Sequence, residues 1–220
     1  MKIRALCVSI IALVSILAAA QDRQTVGPTA ADFFVKAPLD VASQLSETSR
    51  LDMIDYFNNG ATVKSENRLG RKVALKKIED RLIVWQDDDS VMTTIVVFPV
   101  MQSSASDTVM VVIRTFAGQL PDSEVRYYDK GWSLIDNSDV PAPKLKDWLN
   151  VTDKQSVALV ERSIPFILST AEYDLNDNNL VFTNRTADFF TPQDTPDAVS
   201  MLKPELRYEW TGRRFKPVLR

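Results

Sequence analysis

Apolar positions along the chain change their period at several points, and each change marks an element. The first run, Ala5 to Leu17, is continuously apolar, follows Lys2 and Arg4, and ends on Ala18, Ala19 and Ala20. A positive start, a short apolar stretch and small residues at the cleavage positions are the layout of a secretory signal peptide. The stretch is too short to span a bilayer, which takes about 20 apolar residues. Cys7 lies inside the apolar run and not after it, so it is not placed to carry a lipid anchor. Polar Gln21 to Thr29 reads as a leader, and Ala30 to Pro38, with adjacent Phe33 and Phe34, as a segment docked on the core. A helix is predicted from about Leu39 to Phe57, where Leu51, Ile54, Tyr56 and Phe57 fall near helical spacing, and Asn58-Asn59-Gly60 stops it.

The middle of the chain then shortens its period to that of strands. Residues 61–68, 73–78, 82–86, 91–100, 108–117 and 124–128 are rich in Val, Ile and Thr and bounded by turn residues. The loops between them are too short for parallel crossovers, so an antiparallel meander is expected. Val91–Phe98 and Val109–Phe116 are apolar at both alternating positions. They read as central strands covered on both sides, or on one side with a pocket on the other. Val140-Pro141-Ala142-Pro143 is a stiff joint, because each proline fixes its own φ and restrains its predecessor. Beyond it come a short helix at 144–149, a hairpin of 163–173 with 180–184, a helix at 191–202, and a hairpin of 206–210 with 214–218 across Thr211-Gly212. The fold class is therefore α+β: an antiparallel sheet meander with a few helices packed on it. Residues 1–20 are assigned to the signal peptide, 21–38 to the leader and docking segment, and 39–220 to one domain. If that domain divides, it divides near 140–143.

Composition narrows the chemistry. The 220 residues include no histidine and a single cysteine, Cys7. That excludes Ser-His-Asp and Cys-His catalysis, histidine metal sites and structural zinc. Six scattered glycines give no phosphate-cradling loop. With the signal removed, 26 lysines and arginines less Lys2 and Arg4 stand against 29 acids, a net charge near −5. Such a chain has no long-range attraction for nucleic acid. No integral membrane segment remains after signal removal, and no cofactor is expected.

Several segments resemble a family of exported Bacteroidales cell-envelope proteins that carries only a domain-of-unknown-function label. They are Arg50 to Phe57, Asn67-Arg68-Leu69-Gly70, Phe98-Pro99-Val100, Glu124 to Tyr128 with Trp132, Pro141-Ala142-Pro143 and Leu206 to Trp210. The resemblance implies export to the envelope, in the periplasm or at the cell surface, and supplies no activity and no site residues.

Four kinds of constellation remain. Asp87-Asp88-Asp89 offers carboxylates for calcium, but consecutive residues aim poorly at one ion and read as a solvated hairpin tip. Asp174 to Asn179 begins like a calcium loop, yet Asn179 stands where glycine is required and Arg185 where a bidentate glutamate belongs. An Asx-rich turn accounts for it better. Glu79, Asp80, Glu124, Glu172 and Glu209 are the acids from which a glycosidase pair would be drawn, with nothing in their spacing to single out two. Among the aromatics, Trp132, Tyr127 and Trp210 are the candidate ligand-binding residues, as a sugar-stacking surface set against core filling. Of these, Trp132, after a glycine turn, is expected to be partly exposed. Asp-Ser90-Val and Asp-Thr108-Val have the form of O-glycosylation acceptors in the organisms that the resemblance points to. Arg207, Arg213, Arg214 and Lys216 read as solvated or salt-bridged strand faces. No catalytic residue and no metal ligand is assigned. The expected function is a non-catalytic module that binds an envelope protein or glycan through a sheet face or strand edge. The alternative is a small carboxylate-dependent hydrolase acting on envelope or dietary glycans.

Overall fold

The computed structural model describes residues 27–88, 90–100 and 107–218. The predicted signal peptide, most of the leader, Asp89 and the loop at 101–106 lie outside the described residues. Seven strands form the first sheet: β1 (Lys64–Glu66), β2 (Lys72–Glu79), β3 (Leu82–Asp87), β4 (Val91–Pro99), β5 (Thr108–Phe116), β6 (Asp122–Asp129) and β7 (Leu134–Ile135). They pair antiparallel in chain order, which is the expected meander. The later hairpins do not extend it. β8 (Ser169–Asp174), β9 (Asn179–Asn184), β10 (Glu205–Trp210) and β11 (Phe215–Pro217) make a second antiparallel sheet, ordered β11-β10-β9-β8. With the helices, this is the α+β class that the pattern predicts.

The two-faced apolar strands explain the stacking. In the β4–β5 register Ile95 pairs with Val112, Val96 with Val111 and Val97 with Met110. Because side chains alternate across a strand, Ile95, Val97, Met110 and Val112 enter one core, and Val96, Phe98, Val111 and Ile113 the other. The first core is covered by helices α1 (Ala30–Lys36) and α2 (Glu47–Asn58), with Phe34 against Trp85 at 4.8 Å between ring centres. The second lies under the smaller sheet, helped by α3 (Leu145–Trp148) and α4 (Lys154–Ser163). Each large apolar side chain so buried stabilises the fold by about 1.5–3 kcal/mol.

Three elements differ from the sequence expectation. The helix expected over 39–57 is split: residues 39–44 are a tight turn with Ser43 and Gln44 at φ of 50° and 59°. α2 begins only after Ser46, whose side chain accepts from the Ser49 N–H. Winding the turn tightly buries Val41, Ala42 and Leu45, which a straight helix would spread around its circumference. α4, its first turn capped by Asp153, was not expected, and the strand expected from Ser163 begins only at Ser169. The expected helix at 191–202 reduces to a 3₁₀ turn at Asp197–Met201, because Pro196 sets its start.

The edges of the smaller sheet are closed by other parts of the chain. On β8, the Ser169 and Ala171 N–H groups donate to Asp122 Oδ1 at 3.0 Å and Ser123 Oγ at 2.9 Å of β6. On β11, the Phe215 N–H donates to the Asp139 carbonyl at 2.9 Å. Such closure removes the unpaired donors that invite uncontrolled strand addition.

Candidate functional site

The Val140-Pro141-Ala142-Pro143 joint, which follows the Asp139 carbonyl that closes β11, separates two surface grooves. The larger, about 750 Å³, lies between the joint, the end of α3 and the β10–β11 hairpin. The smaller, about 540 Å³, runs between the joint, the β6–β7 hairpin and the start of β8. The shared wall is fixed from below, where the Tyr127 hydroxyl donates to the Pro141 carbonyl at 2.8 Å. Burial pushes the Tyr127 phenol well above its ordinary range, with the nearby Tyr208 adding to the effect, so it stays a donor throughout the physiological range.

Val140, Pro141, Leu206, Phe215, Pro217 and Val218 supply the apolar lining of the larger groove, which Ser138, Glu205 and Arg207 also line. Its polar end carries Lys146, Asp147, Asn150, Lys203 and Tyr208. Two backbone bonds bring this end together from distant parts of the chain: Asn150 N–H to the Met201 carbonyl at 2.8 Å, and Lys203 N–H to the Trp148 carbonyl at 2.6 Å. Both acids of the groove are already engaged. Asp147 Oδ2 accepts from the Lys144 N–H at 2.7 Å, which is a helix-start bond. Glu205 takes Arg207 on both oxygens, at 2.7 and 3.2 Å. Lys203 Nζ donates to the Asp147 carbonyl at 3.0 Å, and Lys146 and Lys203 form no salt bridge among the described residues. Burial and the charge of Asp147 raise the Tyr208 phenol, which keeps it a neutral donor. The lining sets a cluster of donors and positive charge beside apolar side chains.

The three aromatic residues singled out in the sequence do not share a surface. Tyr127 and Trp210 both pack on Phe215, at 6.0 and 5.0 Å between ring centres, and both are buried. Trp210 spends its indole N–H on the Pro99 carbonyl at 3.1 Å. They support the grooves from beneath. Trp132 is partly exposed and belongs to the other face of the first sheet, beside Tyr128 at 5.4 Å. Its φ is 65°, and its buried indole nitrogen has no partner. Lys146 and Lys203 were not legible as a pair, since 57 positions separate them and only the Leu149–Leu202 bridge with its flanking backbone bonds joins their segments.

Among the described residues no group of three or more Asp, Glu, Cys or His is placed to hold a metal. Asp87 is buried on the helix-covered face, while Asp88 Oδ1 accepts from the Lys72 N–H at 2.9 Å, so the two diverge. Asp174 Oδ1 accepts from the Asn176 and Asp177 N–H groups at 2.9 and 3.3 Å, an Asx turn. Of the five acids considered for glycosidase chemistry, Glu124 is held by Arg126 and Arg114 and Glu79 by Lys77. Ser90 is exposed and Thr108 buried, so only Ser90 presents its hydroxyl for modification. No described helix is long and apolar enough to cross a membrane.

Residues 23–215 match a family described as "Protein of unknown function (DUF3256)". The chain belongs to the DUF3256 family. No curated protein matches it. A solved structure, a domain of an uncharacterized protein from Porphyromonas gingivalis W83, superposes with a TM-score of 0.67 at 20% identity. It covers 84% of this chain and 96% of its own, so the DUF3256 fold described above has an experimental counterpart. Its source is consistent with the Bacteroidales resemblance of the sequence.

Proposed function

We propose that this DUF3256 protein is a non-catalytic interaction module of the bacterial cell envelope, exported and working in the periplasm or at the cell surface. The observation that supports a binding role is the larger groove. Its wall is stiffened by prolines and pinned by Tyr127, Glu205 is held by Arg207, and Lys146 and Lys203 form no salt bridge among the described residues. Pre-formed concave sites with a few convergent polar groups are where ligands and partners are taken up. The export reading rests on the amino-terminal pattern of Lys2, Arg4, the apolar run and Ala18-Ala19-Ala20.

Cross-linking of intact native envelopes, followed by purification of this protein and mass spectrometry, tests both parts. A reproducible partner at near-stoichiometric amounts, in an envelope fraction, is the expected result. Recovery of the protein in the cytoplasmic fraction, or turnover of envelope glycans or peptides by the purified chain, would overturn it.

A further inference from the structure

Resting on that reading, we infer that the larger groove takes an acidic, extended segment of a partner protein. A carboxylate binds at the Lys146–Lys203 end, and apolar side chains lie against Val140, Pro141, Leu206 and Phe215. Charge is the first argument. The chain carries an excess of acids, 29 against 26 basic residues, yet the groove is lined by Lys146, Lys203 and Arg207 against Asp147 and Glu205. Glu205 is taken by Arg207, so Asp147, whose Oδ2 accepts from the Lys144 N–H, is the one acid of the lining left to set against the two lysines. Two ammonium groups in a partly enclosed site attract a carboxylate and reject a cation.

The second argument separates a peptide from a sugar. Pro141, Pro204 and Pro217 line the groove and have no N–H to give. Besides Ser138 and the Glu205-bound Arg207, the side-chain donors of the lining are Lys146, Lys203, Asn150 and Tyr208. A sugar ring carries hydroxyls around its whole rim and would leave many unpaired against the apolar wall, at a cost for each. A peptide has the matching asymmetry, with apolar side chains along the trough and an acid at one end. Tyr208, its phenol raised above the ordinary range by burial and by Asp147, adds a neutral donor.

The test uses three probes on the purified protein. They are a labelled peptide alternating valine and aspartate, its counterpart with lysine for aspartate, and a labelled oligogalacturonate. Fluorescence anisotropy is expected to show binding of the acidic peptide alone, weakening as salt rises. The double variant K146E/K203E should bind about tenfold more weakly or worse with an unchanged circular dichroism spectrum. Lys203 also bonds the Asp147 carbonyl, so K146E alone, at an exposed position, serves as the variant whose folding is not in question. Equal binding of the lysine peptide, tighter binding of the oligogalacturonate, or indifference to K146E would overturn the inference.

Photo-cross-linking in native envelopes separates this inference from the broader one. A photoreactive residue is placed at exposed Ala142 or Asn150 in the groove, or at exposed Leu51 on α2. Capture of an Asp- and Glu-rich segment from 142 or 150 supports the groove. Capture from Leu51 alone overturns the groove and leaves an interaction module. Capture from none of them, with the protein folded and present, counts against both.

Discussion

Asp87 ends β3 with its carboxyl turned under the helices, 8% exposed, and one oxygen there lacks a hydrogen-bond partner. Burial raises its pKa first of all. Arg71 and Arg114 pull the other way, Asp88 adds to the rise, and the Ser43 hydroxyl lowers it. A carboxyl whose folded pKa exceeds its unfolded value favours the folded state when protonated, and that contribution is lost as pH rises through the folded value. At neutral pH the charged form is therefore a liability to stability. Asp87→Asn should raise the urea midpoint at about pH 8, and the gain should close as pH falls toward about 4, the ordinary Asp value. A midpoint at or below wild type at the higher pH would contradict this account.

The paired helices over the first core depend on a different buried charge. α1 is only seven residues long, and a helix leaves its last carbonyls without intrahelical partners. Arg50 of α2 supplies them: its guanidinium donates to the carbonyls of Phe34, Val35 and Ala37 at 2.9, 2.6 and 2.7 Å, and to that of Leu45 at 3.2 Å. Arg50→Met should cost about 3 kcal/mol, measured by urea unfolding, since it orphans several carbonyls at once. Arg50→Lys should recover little of it, because an ammonium lacks the planar fork. This anchor also shows what the sequence could and could not disclose. The meander was legible, because Val91–Phe98 and Val109–Phe116 announce two covered faces by their own alternation. The split of the 39–57 helix was not, because it depends on Arg50 reaching back across the chain and on left-handed Ser43 and Gln44. The same holds for the groove. Its wall was visible as Pro-Ala-Pro, but Lys146 and Lys203 become neighbours only when Leu149 bridges Leu202. Aromatic side chains, read as a candidate surface, mostly found partners inside: Tyr127 on the Pro141 carbonyl, Trp210 on that of Pro99.

At the scale of the whole molecule, two cores share one sheet, and the sharing decides how the protein unfolds. Strands β3, β4, β5 and β6 send alternate residues to each side, so neither core persists once those strands part. Phe34, under α1, belongs wholly to the first core; Phe98, packed on Trp210 and Phe215 at 5.4 and 5.1 Å, belongs to the second. Each is fully buried, so truncation to alanine should cost about 3–5 kcal/mol. If the shared strands couple the cores, Phe34→Ala and Phe98→Ala each shift one common urea transition and leave its slope unchanged. Fluorescence and far-ultraviolet circular dichroism should report the same midpoint in each variant. Separate transitions, with Phe98→Ala lowering only one of them, would mean instead that the small sheet and its grooves open independently. That outcome would recast the binding groove as a site able to open without loss of the helix-covered half. A single transition requires the groove to be built and lost with the entire fold, which is the arrangement expected of a rigid docking surface.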